Sequence, residues 1–465
     1  IVVIDNPGRI IKLCGKGADV PFEERKNLWR ERLSKTNASA ALVLNVYRQA
    51  KLLCEAPTMR ERRALLTLGL DYLPSIAARV SFYRLLARDA LAADVVYRGI
   101  LARVTTPAQV RELNQAMGLA TVDSETLEKT IKEAKDPADL VQKLRLLLSK
   151  FPDDRALALK LLDKLEDAGD EPAARLLAQQ LRKRSDADAM LRTAVGELYL
   201  RLSAKKTTPD AKAADEQEAK RAFGEIVEFS PDDPVARRRL GDLYRAHGYY
   251  AEATRQYETL ARLLPDDPTV AILLAASANG LGKLEEAVRW TEKGGQAGAP
   301  DVSQGPHATA RAFAALFLAW GRMEAKAASK NDEWKALAAR LEKVLSGEKR
   351  EGKVRVLLSW AHPELHPALW TNALGTMMPS GEGDLSLGLA QGILVDRAGG
   401  IVEVRVEPTE LEHTARLGAK ATLTTIFNEG KEGEVIDKRE ITFTRTEGTL
   451  RFRVESKTVE SVPVE

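Results

Sequence analysis

The chain has 465 residues, too many for one ordinary hydrophobic core, so two or three domains are expected. Its 44% hydrophobic and 29% charged residues fit a soluble globular protein. With 70 basic against 67 acidic residues, the net charge of +3 gives no global bias toward nucleic acid or anionic membrane, and no apolar run approaches the ~18 residues of a transmembrane helix.

The first residue is Ile1 and not Met, which reads as a processed or truncated piece and is compatible with a removed signal peptide. Cys14 and Cys54 form neither a disulfide framework nor a zinc quartet; two unpaired thiols are favoured over a single bridge. Residues 1–20 open with a predicted β-hairpin. Ile1–Ile4 and Ile10–Leu13 are β-rich runs around the turn cluster Asp5-Asn6-Pro7-Gly8-Arg9. A lone hairpin is marginal in water, so it reads as the end of an upstream domain or as an element docked on the helical part of the chain.

Residues 21–135 are predicted to be almost wholly helical, with helices near 21–34, 38–55, 58–71, 74–87, 89–104, 107–117 and 124–135. Thr106-Pro107-Ala108-Gln109 is a helix start, with a capping Thr, Pro at the first helical position and Gln at the third. These helices are either degenerate repeats or a separate helical cap.

From 136 to 346 a repeat register emerges. Pro-Asp-Asp-Pro occurs at 231–234 and again at 265–268, 34 residues apart. Between the copies lie Leu240-Gly241-x-x-Tyr244, then Ala253 and Tyr257. Gly241 and Ala253 are small where two helices would press together, and Leu240, Tyr244 and Tyr257 fill the surrounding space. The Pro-Asp-Asp turn ends one helix and caps the next. Val195-Gly196-x-x-Tyr199 carries the same signature one unit earlier, and Leu274, Ala275, Gly282 and Ala287 carry it one unit later, with Thr291 where an aromatic is usual. The unit beginning at 189 is 11 residues too long, and the excess is assigned to a polar loop insertion near 203–210. Two helices near 307–327 and 332–346 come next, and Trp320 and Trp334 are expected to seal the end of the stack.

This segment resembles the tetratricopeptide repeat family, whose 34-residue helix–turn–helix units stack into a solenoid. The match is specific over 189–267, fair over 155–188 and 268–301, and weak upstream. The resemblance implies a protein–protein interaction scaffold whose concave face is lined by the first helix of each unit. Carried onto this chain, it makes Arg238, Arg239, Asp242, Arg245, Ile272, Leu273 and Asn279 the candidate partner-binding residues, with an arginine wall beside an apolar floor. The version of the family that clamps a C-terminal carboxylate is not supported. Asp242 stands where Asn is wanted, and Ile272 and Leu273 replace polar positions.

Gly347-Glu348-Lys349-Arg350-Glu351-Gly352 reads as a linker, and 353–465 as an antiparallel β-sandwich. Its predicted strands are 354–358, 401–406, 421–427, 440–444 and 450–454. The opening strand Val354–Trp360 and the late strand Thr422–Asn428 resemble the YfaP-like β-sandwich domain of unknown function found in bacterial extracytoplasmic proteins. That family follows its first strand with aspartates and Leu-His. Here the run is Ala361-His362-Pro363-Glu364-Leu365-His366, which puts an acidic metal site in doubt.

Candidate chemistry is sparse. His362 and His366 are four apart, but Pro363 and Pro367 oppose a helix, so a surface loop is expected and no metal is assigned. Cys14-Gly15-Lys16-Gly17 lacks phosphate-loop spacing, and Gly388-x-x-x-Gly392 is equally weak. The five histidines are scattered, no catalytic residue or cofactor is assigned, and no enzyme activity is expected. Arg237-Arg238-Arg239 lies among Asp232, Asp233 and Asp242 without interleaved aromatics, so no nucleic acid is expected. The sequence reading is therefore a multidomain α + β chain, an α-solenoid followed by an antiparallel sandwich. It scaffolds a protein or peptide partner in a larger bacterial assembly, periplasmic or secreted, with cytoplasmic as the alternative compartment. The rival reading is a hydrolase or carbohydrate-binding protein with the sandwich as the active module.

Overall fold

A computed structural model describes residues 29–30, 33–34, 39–53, 59–184, 187–228, 230–265, 267–296, 306–328, 331–345, 354–363, 365, 367–373, 376–379, 382–384, 388–394, 400–406, 420–429, 431, 433–443, 448–455 and 458–463. The hairpin expected near the start, Cys14, Cys54, the segment 347–352 and His366 lie outside these residues. Among the described residues helices run as far as Val344, and strands begin at Val354. Chain compactness divides differently, between Arg237 and Arg238.

The first unit contains helices α1 (Ala40–Leu53), α2 (Met59–Asp71), α3 (Ile76–Leu85), α4 (Ala90–Ala102), α5 (Pro107–Met117), α6 (Ser124–Lys132), α7 (Pro137–Lys150), α8 (Arg155–Asp167), α9 (Glu171–Arg182), α10 (Ala189–Ala204) and α11 (Pro209–Glu228). Helix starts follow their capping chemistry. Thr106 Oγ1 accepts from the Gln109 N–H at 3.2 Å while the Gln109 side chain accepts from the Thr106 N–H at 3.3 Å. Asp123, Asp136, Asp154, Asp170 and Asp188 each accept from the backbone N–H three residues on.

Helix ends explain the long unit. Gly169, Gly248 and Gly282 have φ of 72°, 75° and 72°, the left-handed conformation that stops a helix. Each stands fourteen positions after the first residue of its helix. In α10 that place is taken by Ser203, and the helix runs on to Ala204. The expected loop insertion is therefore mostly helix: α10 has 16 residues and α11 has 20, against 13 and 14 for the corresponding helices of the next unit. Residues 205–208 alone connect them.

The upstream helices are packed onto this unit. The Met190 N–H donates to the Val104 carbonyl at 3.0 Å. Arg103, just past α4 and buried, bonds Asp71 at 2.6 Å and Asp233 of the Pro-Asp-Asp turn at 2.7 Å. Burial opposes its charge, but Asp233 and Asp71 hold the guanidinium more firmly protonated than usual.

The second unit continues with α12 (Pro234–Ala246, from Arg238 onward), α13 (Tyr250–Leu263), α14 (Pro268–Gly280), α15 (Leu284–Gln296), α16 (Pro306–Ala328) and α17 (Asn331–Val344). Among the described residues ten strands come after them: β1 (Val354–Trp360), β2 (Ala368–Ala373), β3 (Thr376–Pro379), β4 (Glu382–Asp384), β5 (Leu389–Leu394), β6 (Gly400–Arg405), β7 (Lys420–Phe427), β8 (Val435–Thr442), β9 (Thr449–Glu455) and β10 (Thr458–Val462). They form two antiparallel sheets, β4-β5-β1-β7-β8 and β10-β9-β6-β2-β3. β1, β6, β7 and β9 correspond to expected strands, and β8 begins five residues before the strand expected at 440–444. Of the others, β3, β4 and β10 are short, with four, three and five residues, and β5 is interrupted by Gly392.

Strand alternation assigns each face. Val354, Val356, Leu358 and Trp360 of β1 meet Val402, Val404, Phe452 and Val454 in the core between the sheets. Leu357 of β1, Ile426 of β7 and Leu389 of β5 join Phe317 of α16 and Trp334 and Leu337 of α17 in a second core. The β1 sheet is thus covered on both sides, which accounts for the nearly unbroken burial of β1. Polar contacts border the second core. Trp320 Nε1 donates to Thr424 Oγ1 at 3.2 Å, Lys438 sits 4.3 Å over the Trp320 ring, and Arg322 bonds Glu434 at 2.5 Å. The sandwich itself therefore covers the terminal hairpin. A Phe317→Ala variant is expected to lose about 3–5 kcal/mol of stability, measured by urea unfolding, because it opens a cavity in this shared core. A loss below about 1 kcal/mol, the range of a surface change, would mean the interface does not hold the sandwich to the helices.

Candidate functional site

Local packing around the candidate residues begins with Gly241. It faces the ring of Tyr257, the residue nearest to any side chain placed there; the expected neighbour Ala253 is buried in the same hairpin. Gly196 faces Phe223 in the same manner, and Gly280 faces Tyr250 of the preceding helix α13. Gly282, kept from the repeat signature, is the left-handed stop of α14.

Of the seven candidates, the structure brings Arg238, Asp242 and Arg245 together on one stretch of α12. The Tyr257 hydroxyl donates to Asp242 Oδ1 at 2.6 Å, and Arg238 Nε donates to Asp242 Oδ2 at 3.3 Å. Arg245 lies 3.8 Å from Asp242. Burial, reinforced by the Asp242 carboxylate, pushes the Tyr257 phenol well above its usual range, so it remains a hydrogen-bond donor at neutral pH. Asp242, placed where the carboxylate clamp would want Asn, is thus the acceptor at the centre of a small charged knot. Arg239 is buried beside it, while Arg238 keeps part of its side chain in solvent.

The apolar floor is not open. Ile272 is 2% exposed and Leu273 1% exposed, so both are packing residues. α14 is buried around most of its circumference, from Thr269 through Ala275 and at Ser277 and Ala278. Ile272 packs on Gly294 of α15, so in this contact the small residue and the bulky one exchange helices. Asn279, near the end of α14, is half-buried.

The loop after β1 also differs from expectation. His362 is 7% exposed rather than on an open loop. Its ring lies edge-on to that of His247, which follows α12, with centroids 6.1 Å apart. No local signal marks this pair, because the two residues are 115 positions apart and share no motif.

Residues 211–277 match the tetratricopeptide repeat family. No curated protein matches the chain. Among solved structures, the chain is similar to TTC0263, a thermophilic tetratricopeptide repeat protein of Thermus thermophilus, with 15% identity over 48% of this chain and 99% of that one and a TM-score of 0.25. It is also similar to MamA, with 19% identity over 38% of this chain and 96% of that one and a TM-score of 0.25. Both likenesses are distant. The repeat assignment rests on the family match and on the glycine–aromatic packing. That packing is testable: Gly241→Ala and Gly196→Ala should each lower stability by about 1–3 kcal/mol through overpacking, measured by chemical denaturation. An unchanged midpoint in both would remove the helix contact on which the repeat assignment stands.

Proposed function

We propose that the chain is a protein-interaction scaffold that holds a protein or peptide partner on its helical repeats as part of a larger bacterial assembly. The observation that carries this reading is the repeat match at 211–277, because stacked helical hairpins present an extended surface without a preorganised catalytic group. Arg238, with Asp242 and Arg245 behind it, is the candidate charged wall, and Asn279 extends it along α14. Ile272 and Leu273 support this wall from the core and do not touch the partner. A partly exposed arginine wall favours an acidic segment on the partner and would act mainly on the rate of encounter. The resemblance of 353–455 to the YfaP-like domain supports a periplasmic or secreted setting, which fractionation of the source cells would test.

The binding test compares wild type with Arg238→Ala and Leu273→Ala in a pull-down followed by association kinetics at two salt concentrations. Arg238→Ala should slow association and flatten its salt dependence. Leu273→Ala should act through stability, lowering it by about 2–5 kcal/mol without a specific change in association. A partner captured by Arg238→Ala/Arg245→Ala as well as by wild type would move the binding surface off α12.

A further inference from the structure

The histidine pair at the end of α12 has a geometry that the scaffold reading does not use. His247 and His362 each place a ring nitrogen within 4.8 Å of the other's. Both backbones are fixed. The His247 N–H completes the last turn of α12 by donating to the Leu243 carbonyl at 3.2 Å, and Gly248 then turns the chain away. The His362 carbonyl accepts from the Leu365 N–H at 3.2 Å, closing a tight turn just after β1. Two side chains with broad ring torsions are thus presented to each other from anchored positions, one on a helix end and one on a strand end.

Imidazole is the commonest protein ligand of zinc and of its first-row neighbours. Two nitrogens bound at ~2.0–2.1 Å in a tetrahedral arrangement stand about 3.3 Å apart. The present separation therefore needs to close by roughly 1.5 Å at most, which ring rotation at either residue can supply. Arg245, the nearest cationic residue in sequence, is engaged with Asp242 and Tyr257. We propose that His247 and His362 form a seat for one divalent transition-metal ion, zinc being the probe, with water completing the coordination. Bound there, the ion would tie the last turn of α12 to the loop after β1, cross-linking the helical repeat and the sandwich. With two protein ligands the site would be exchangeable, unlike a four-ligand structural zinc site. A bound ion would also stabilise the folded chain by mass action.

The test uses the full chain, stripped with chelator and titrated with zinc by calorimetry and by thermal unfolding. Wild type should bind one equivalent and unfold at a higher temperature, and chelator should reverse the shift. His247→Gln and His362→Gln should each abolish both responses, while His413→Gln retains them. In parallel, zinc should protect His247 and His362 of the wild type from diethylpyrocarbonate, read by peptide mass spectrometry; this arm stands even if a variant fails to fold. Zinc binding retained by the His247→Gln/His362→Gln double variant, absence of binding by wild type, or protection confined to other histidines would each overturn the proposal.

Discussion

The helical part of this chain depends on one recurring contact, a glycine on one helix pressed against a ring on its neighbour. Gly196 takes Phe223, Gly241 takes Tyr257, Gly280 takes Tyr250 and Gly321 takes Trp334. A methyl group at any of these glycines would overlap the ring, so the interhelical spacing is set by the absence of a side chain. Where the ring is missing, the device changes form. Gly69 of α2 takes Val43, Gly99 of α4 takes Leu70, and Gly294 of α15 takes Ile272. The upstream helices, which show no 34-residue signature, thus pack by the same small-against-large principle with aliphatic partners.

Charge is used to fix turns. The aspartates that precede the first helices of the units cap them, and two of them also meet arginines from elsewhere in the fold. Asp233 holds Arg103, while Asp188 lies 3.6 Å from Arg155, which in turn bonds Asn114 at 2.8 Å. These groups are buried. A buried ion pair adds little net stability over a well-packed apolar pair, but losing one partner strands the other, so such pairs enforce one arrangement of the turns.

The helix boundaries, the repeat register and the major strands were legible because caps, prolines and period-two alternation are local signals. Three things were not. Ser203 in place of a stopping glycine lengthened α10, although the serine itself is visible once the other stops are aligned. Ile272 and Leu273 read as groove residues because register assigns a face, whereas α14 is buried around nearly its whole circumference. The meeting of His247 with His362 depends on tertiary placement alone. The same holds for the burial of Leu357 and Ile426: alternation predicts that one face of a strand is solvated, and only the packing of α16 and α17 reveals a second covered face.

That second covered face bears on how a stack of repeats comes apart. In a solenoid each unit is held only by its neighbours, so unzipping begins where a terminal unit has a neighbour on one side alone. Here the α16–α17 hairpin has a sheet on its outer side, and Trp320, Arg322 and Phe317 are committed to it. Peeling this hairpin away requires breaking into a β-sheet whose strands pair residues far apart in sequence. The cost of fraying at this end is therefore set by the cooperativity of the sandwich and not by the weakest repeat. A pull applied through the sandwich would be carried into α16 and α17 as a load shared across a packed face.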